Sequence, residues 1–278
     1  MNSTNNILVR LRSNTESLSK KQRVVADYIL ENAIEVQFQT ITDLARNTAT
    51  SEATVVRLCR DIGYKGYPDF RMSLAVELSQ KEQQKNKPLN DDVCHTSMQN
   101  AITSLQDTNK LIDKKAIDRV CIAIHKAKFI SCVGVGASSV VGQYLTYRLT
   151  RIGKKSTMYS DNHLAVMNAS CATKGDLWFA ISSSGVTKEI IQVANSVEKK
   201  QAPVITISNI SNSPLARLST ELLIAARPEG PLTGGAFSSK VGALLIVDII
   251  INRLVKKYPQ YDDSIQQTAK AIIPLVND

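Results

Sequence analysis

The sequence predicts an all-α helix-turn-helix N-terminal domain followed by a three-layer α/β domain built on a parallel five-stranded sheet. Three observations carry this. In the first eighty residues apolar side chains recur at three- and four-residue steps, the period of helices buried on one face. Residues 80 to 92 are almost wholly polar and include Pro88, which sets the expected boundaries at 1–79 for the first domain, 80–93 for a linker and 94–278 for the second domain. Beyond the linker, short apolar runs alternate with helical patterns, as in a parallel sheet with crossover helices.

Taken in order, Leu18, Val24, Val25, Tyr28, Ile29 and Ala33 mark a helix or helix pair from Thr15 to about Val36. Two short helical segments and a turn follow, to about Gly63. Gly63-Tyr64-Lys65-Gly66-Tyr67-Pro68 interrupts the pattern, which resumes as a helix from Asp69 to Ser79. Helices are expected again at about 94–112 and 114–126. Strands are expected at Phe129–Val135, Ser156–Tyr159, Leu177–Ile181, Val204–Ser208 and Leu222–Ala225. Leu177 to Ile181 is apolar at every position, so it reads as a strand covered on both faces, the habit of parallel sheets.

Length and composition exclude several classes. A chain of 278 residues can bury an ordinary core and favours two domains. The most apolar stretch, Val241–Val255, contains Asp248, Asn252 and Arg253, so no membrane span is expected. It reads either as a helix used for subunit contacts or as a core helix covering the sheet. No signal peptide is expected, and the five scattered cysteines suggest neither a disulfide frame nor a metal knuckle, which points to a reducing cytoplasm. The net charge of +9 is spread along the chain, and charge alone therefore adds little to a nucleic-acid reading.

Ile41 to Arg60 has helix-turn-helix spacing. Ala45 is small enough for two helices to approach, Leu44, Val55 and Leu58 would form their shared core, and Thr40 with Asp43 reads as a capping box. Ser51 can cap the second helix. Ala49 stands where glycine usually makes the turn, and Thr48 and Thr50 occupy usually apolar positions. If the second helix enters a major groove, Ser51, Glu52, Ala53, Val56, Arg57 and Arg60 would face double-stranded DNA. Arg57 and Arg60 suit guanine edges or phosphates, and Lys65 and Arg71 suit backbone phosphates. The plainer reading is a helical bundle used only for dimerisation.

Two loops carry a second signal. Ser182-Ser183-Ser184-Gly185-Val186-Thr187 follows an apolar strand, and Gly134-Val135-Gly136-Ala137-Ser138-Ser139 follows an earlier one. Hydroxyls, backbone N–H groups and little bulk at a helix start suit a phosphate. In open α/β sheets ligands gather at the carboxyl ends of strands, where both loops fall. The first loop lacks the third glycine of a dinucleotide fingerprint, and neither loop ends as a P-loop does, so no nucleotide cofactor is expected. No metal site is expected either.

From Leu18 to Val255 the chain resembles the RpiR-type bacterial transcriptional regulators, which join a helix-turn-helix to a sugar isomerase (SIS) domain. The resemblance rests on Leu44-Ala45, Ser51 to Arg57, Gly63 to Tyr67 and Ser182-x-Ser184-Gly185-x-Thr187. It implies a DNA operator, a phosphosugar effector that alters operator affinity, and a homodimer or homotetramer. By position it assigns the effector's phosphate to the hydroxyls of Ser138, Ser182, Ser184 and Thr187 and the N–H of Ser183, within loops that also contain Gly136 and Ser139. Glu189 and Glu229 would lie near the sugar, and Asp161 and His163 would line the pocket. Lys240 stands where such regulators often carry arginine, and offers a point charge rather than a planar fork.

SIS domains also serve isomerases and lyases, which need a base beside the substrate. Glu189, Glu229 and His163 are the available groups, and spacing pairs none of them. A helix-turn-helix has no evident use in a metabolic isomerase, so the sequence favours a sensor with no catalytic residues. An adaptor that senses a sugar phosphate and binds another protein is the remaining alternative.

Overall fold

The computed structural model describes residues 7–14, 18–85, 93–226 and 235–275, which fall into a helical unit before residue 86 and an α/β unit from Val93 onward. The helical unit contains α1 (Ile7–Asn14), α2 (Lys20–Glu31), α3 (Ala33–Val36), α4 (Ile41–Asn47), α5 (Glu52–Asp61) and α6 (Tyr67–Lys85). Its core joins Val25, Ile29, Leu44, Val55, Leu58, Phe70 and Leu74.

The helices of this unit depart from the sequence expectation in several places. The helix expected from Thr15 starts at Lys20, because Ser19 accepts from the Gln22 N–H while the Gln22 side chain returns to the Ser19 N–H. The first helix, α1, was not expected; Ile7 and Leu11 bury one helical turn apart, and the Ile7 N–H donates to the buried Glu77 carboxylate at 2.5 Å. Helix α6 begins at Tyr67 rather than Asp69, since Pro68 in the first turn needs no donor. It also continues past Ser79 to Lys85, because polar Gln, Lys and Glu are strong helix formers.

The turn between α4 and α5 forms without glycine. Ala49 takes φ +49°, and the Thr50 N–H closes on the Ala45 carbonyl at 2.8 Å. Thr48 tolerates burial because its hydroxyl donates to the Leu44 carbonyl at 2.8 Å. The left-handed conformation costs a non-glycine residue about 1–2 kcal/mol, and glycine returns about 0.5–1 kcal/mol of that through its looser unfolded chain. Ala49→Gly is therefore expected to raise stability by about 0.5–1 kcal/mol, read as a higher urea midpoint at unchanged m.

The α/β unit opens with α7 (Val93–Leu111) and α8 (Lys114–Lys126). It then alternates β1 (Phe129–Val133), α9 (Ala137–Arg151), β2 (Ser156–Tyr159), α10 (Asn162–Ser170), β3 (Asp176–Ile181), α11 (Lys188–Lys199), β4 (Val204–Ser208), α12 (Pro214–Arg217) and β5 (Glu221–Ile224). Helices α13 (Phe237–Lys257) and α14 (Gln260–Ile272) and a short 3-10 turn close it. The five strands form one parallel sheet in the order β2-β1-β3-β4-β5, with Cys132 opposite Phe179 and Phe179 opposite Ile205.

Alternation along β3 explains the three layers. Leu177, Phe179 and Ile181 pack with α8, α9 and α13 residues such as Ile124, Leu145 and Ile246. Trp178 and Ala180 pack on the other face with Ala169, Val193 and Val197 from α10 and α11. Both faces are dry, so the strand is apolar throughout. Strand β1 stops at Val133 instead of Val135, where Gly134 leaves the sheet.

The Val241–Val255 stretch lies inside α13, whose Ile246, Val247, Ile250, Ile251 and Leu254 are buried within this chain. These side chains pack on the sheet, as the core-helix reading requires. Asp248 on it accepts from the Tyr144 hydroxyl at 2.9 Å and from Arg148. No helix among the described residues is long and apolar enough to cross a membrane. All five cysteines are free; burial pushes the Cys59 and Cys132 thiols up to about 12 and Cys121 to about 11, so these three stay protonated.

Candidate functional site

The sheet order creates a crevice before any side chain is considered. Strand β2 lies on one side of β1 and β3 on the other, so the chain leaves β1 through α9 and β3 through α11 towards opposite faces. At this switch point the two adjacent strand ends carry the two hydroxyl-bearing loops. Gly134 permits their approach: a β-carbon there would sit 3.1 Å from the Ser138 carbonyl oxygen and 3.2 Å from that of Ile181.

The loop after β3 is held from beneath. The Ser182 N–H donates to Ile207 at 3.1 Å, and the Ser183 carbonyl accepts from the Asn209 N–H at 3.0 Å and the Ser208 hydroxyl at 3.2 Å. Gly185 has φ +64°, and a β-carbon there would fall 2.1 Å from Ser213 Oγ, so only glycine fits. Ser182 Oγ lies 3.0 Å from Thr187 Oγ1 and accepts from the Gly185 N–H. Among the described residues the Ser183 and Ser184 N–H groups take part in none of the loop's backbone hydrogen bonds.

A cation completes the arrangement. Lys240, in the first turns of α13, is 7% exposed, and its ammonium donates to Ser183 Oγ at 2.5 Å and to Ser138 Oγ at 3.4 Å. One buried charge thus touches both loops. Sequence reasoning noted Lys240 only as a departure from arginine and left it out of the effector set. The available signal was a lysine at the head of a helix otherwise apolar, a charge that has to find partners when buried. The Ser183 side chain was missed too, since only its N–H had been assigned.

The other expected residues are placed unevenly. Ser138 is buried beside Lys240, whereas the Ser139 hydroxyl donates to the Gly136 carbonyl at 2.7 Å and shapes the loop. Gly136, with φ +55°, is the N-cap residue of α9. Ser184 is half-buried and its hydroxyl accepts from the Val186 N–H at 3.4 Å. Glu189 is exposed in the first turn of α11, where a carboxylate favours the helix end. Asp161 caps α10 by accepting from the Leu164 N–H at 2.8 Å, and His163 is exposed on that helix. Glu229 lies outside the described residues. No group of three or more metal-ligating side chains occurs among the described residues.

On the helical unit, Ala53, Arg57 and Arg60 are exposed on α5 and Val56 is half-buried. Ser51 is occupied as the N-cap, and Glu52 accepts from the Thr42 hydroxyl at 2.6 Å. Lys65 is exposed, with its N–H tied to Asp69. The Arg71 guanidinium donates through one nitrogen to the Gln39 carbonyl at 3.1 Å, beside Tyr67, whose hydroxyl meets the same carbonyl. A partly buried arginine is held there by the backbone.

Comparison with known proteins then bears on both units. A model described as "Helix-turn-helix domain, rpiR family" matches residues 5–81, and one described as "SIS domain" matches residues 123–253. The structure of the Vibrio vulnificus NanR protein complexed with ManNAc-6P is 63% identical, covers 98% of this chain and 100% of its own, and superposes with a TM-score of 0.87. This chain belongs to the rpiR family of helix-turn-helix transcriptional regulators. The HTH-type transcriptional regulator HexR of Pseudomonas aeruginosa is 29% identical over 97% of this chain and 96% of its own length. A regulator of the same type from Bacillus subtilis, YbbH, is 29% identical over 95% and 96%. As an rpiR-family member, the chain is a transcriptional regulator with a helix-turn-helix and an SIS domain.

Proposed function

We propose that the chain is a DNA-binding regulator of sugar-phosphate metabolism whose operator affinity is set by ManNAc-6P or a close hexosamine phosphate. The observation that carries this reading is the buried Lys240 ammonium between Ser138 and Ser183, at the sheet's switch point. A relative with 63% identity is described with ManNAc-6P, which supplies the ligand. The effector's phosphate is held by Lys240, the loop N–H groups and the hydroxyls of Ser138, Ser182, Ser184 and Thr187, with Gly136 and Ser139 shaping the approach. Glu189 lies near the sugar.

The division of labour follows the two segments, with residues 1–79 for DNA, 80–93 as the connection and 94–278 for the effector. Ala53, Val56, Arg57 and Arg60 read the groove, and a two-fold dimer presents two such helices to half-sites about one helical turn apart, or a multiple of it. The effector changes DNA affinity only to the extent that it prefers one dimer arrangement. No turnover accompanies binding.

A thermal-shift titration tests this reading. Saturation to about 100 times Kd stabilises by about 2.7 kcal/mol, which for a domain of this size is a rise of roughly 5–10 °C. ManNAc-6P should produce that rise, while unphosphorylated ManNAc and inorganic phosphate should not. A flat response to ManNAc-6P would overturn the effector assignment, and formation of an isomer or cleavage product would overturn the non-enzymatic reading.

A further inference from the structure

The recognition helix has a second lined flank. By helical spacing Ala53, Val56, Arg57 and Arg60 share the outward face of α5, Thr54 and Asp61 lie on the adjoining one, and Arg57 stands at the border. On that flank a cavity of about 440 Å³ opens between α5 and the start of α2, lined by Lys20, Lys21, Thr54 and Arg57 with Gln22 and Asp61. Three cations meet one carboxylate there. Asp61 accepts from Gln22 Nε2 at 2.6 Å, which occupies one of its oxygens. At this end of α2 the Ser19–Gln22 capping box takes up the Gln22 N–H.

The position decides what such a cavity takes. A helix with its side chains is about 10–12 Å across, nearly the width of the major groove, so the sugar-phosphate walls run along its flanks. A polar, positively lined hollow on a flank is where a backbone phosphate falls. We propose that this cavity holds a DNA backbone phosphate, with exposed Lys20 and Lys21 as its contacts and Arg57 linking it to the base-reading face. The inference rests on the reading of α5 as the DNA-reading helix. Phosphate contacts of this kind set register and orientation without reading sequence.

The test compares the full-length chain with Lys20→Gln/Lys21→Gln by fluorescence anisotropy between 50 and 200 mM salt, ranges over which phosphate contacts dominate. Two duplexes are used: one obtained by in vitro selection with the wild-type chain, the other its scrambled counterpart. The double variant should bind both duplexes about 10-fold more weakly at 0.1 M salt, with a slope of log K against log salt shallower by about 2. The ratio between the duplexes should not change, and Lys20→Arg/Lys21→Arg should restore the slope. A wild-type slope in the double variant, or a loss confined to the selected duplex, would overturn the phosphate site and leave the DNA reading intact. If the wild-type chain selects and binds no duplex, the DNA reading itself falls, and the phosphate site with it.

Discussion

Lys240→Met is expected to weaken ManNAc-6P binding by about 10- to 150-fold while leaving the fold intact. A charge-assisted hydrogen bond contributes roughly 1.5–3 kcal/mol, and the converted fold-change spans that range. The side chain reaches Ser183 and Ser138 from α13, so its loss removes the only contact described here that ties both loops to one cation. Methionine keeps most of the volume. The hydrogen bonds to Ser183 and Ser138 go with the ammonium, so the unliganded melting temperature is the control for folding. Isothermal titration gives the affinity and a melt gives the control. Unchanged affinity would remove Lys240 from the site, and a large drop in the unliganded melting temperature would make it a structural residue instead.

Arg57→Ala should weaken binding to a selected operator by about 5- to 150-fold, the value of one good bidentate contact to a base at roughly 1–3 kcal/mol. Arg57 is exposed, on a helix whose core residues Val55, Leu58 and Cys59 face inward, so truncation leaves the packing alone. ManNAc-6P binding should be unchanged. Gel-shift titration against the selected and scrambled duplexes separates a base contact, which narrows their ratio, from a phosphate contact, which weakens both alike.

The architecture was legible because its signals are local and redundant. Leu177 to Ile181 revealed a doubly covered parallel strand by being apolar at each position, and the alternation of strands and helices then required crossovers. The α4–α5 pair was legible through its caps, Thr40 with Asp43 and Ser51, even with alanine at the turn. Helix α1 was not, because its anchor is the buried Glu77, seventy residues away, and periodicity within one short segment does not reveal such a partner.

The candidate site was legible only where it is contiguous in sequence. Both loops announced themselves by hydroxyls and glycines. Lys240 did not, since its partners Ser138 and Ser183 lie 102 and 57 residues away and the sheet order alone brings them together. The same limit explains Arg71 and Asp161. Each also bonds a backbone group that its residue type does not reveal, the Gln39 carbonyl in one case and the Leu164 N–H in the other.

The central claim is that effector occupancy beside Lys240 changes DNA affinity through the dimer. Its most direct test is a titration of ManNAc-6P into the wild-type protein bound to its selected operator, with Lys240→Met in parallel. Operator affinity of the wild type should shift by about 5- to 150-fold, the range of ordinary allosteric coupling. In Lys240→Met the shift should appear only at correspondingly higher ManNAc-6P, from the same unliganded affinity. An operator affinity indifferent to ManNAc-6P in the wild type, at concentrations that saturate the site, would contradict the account.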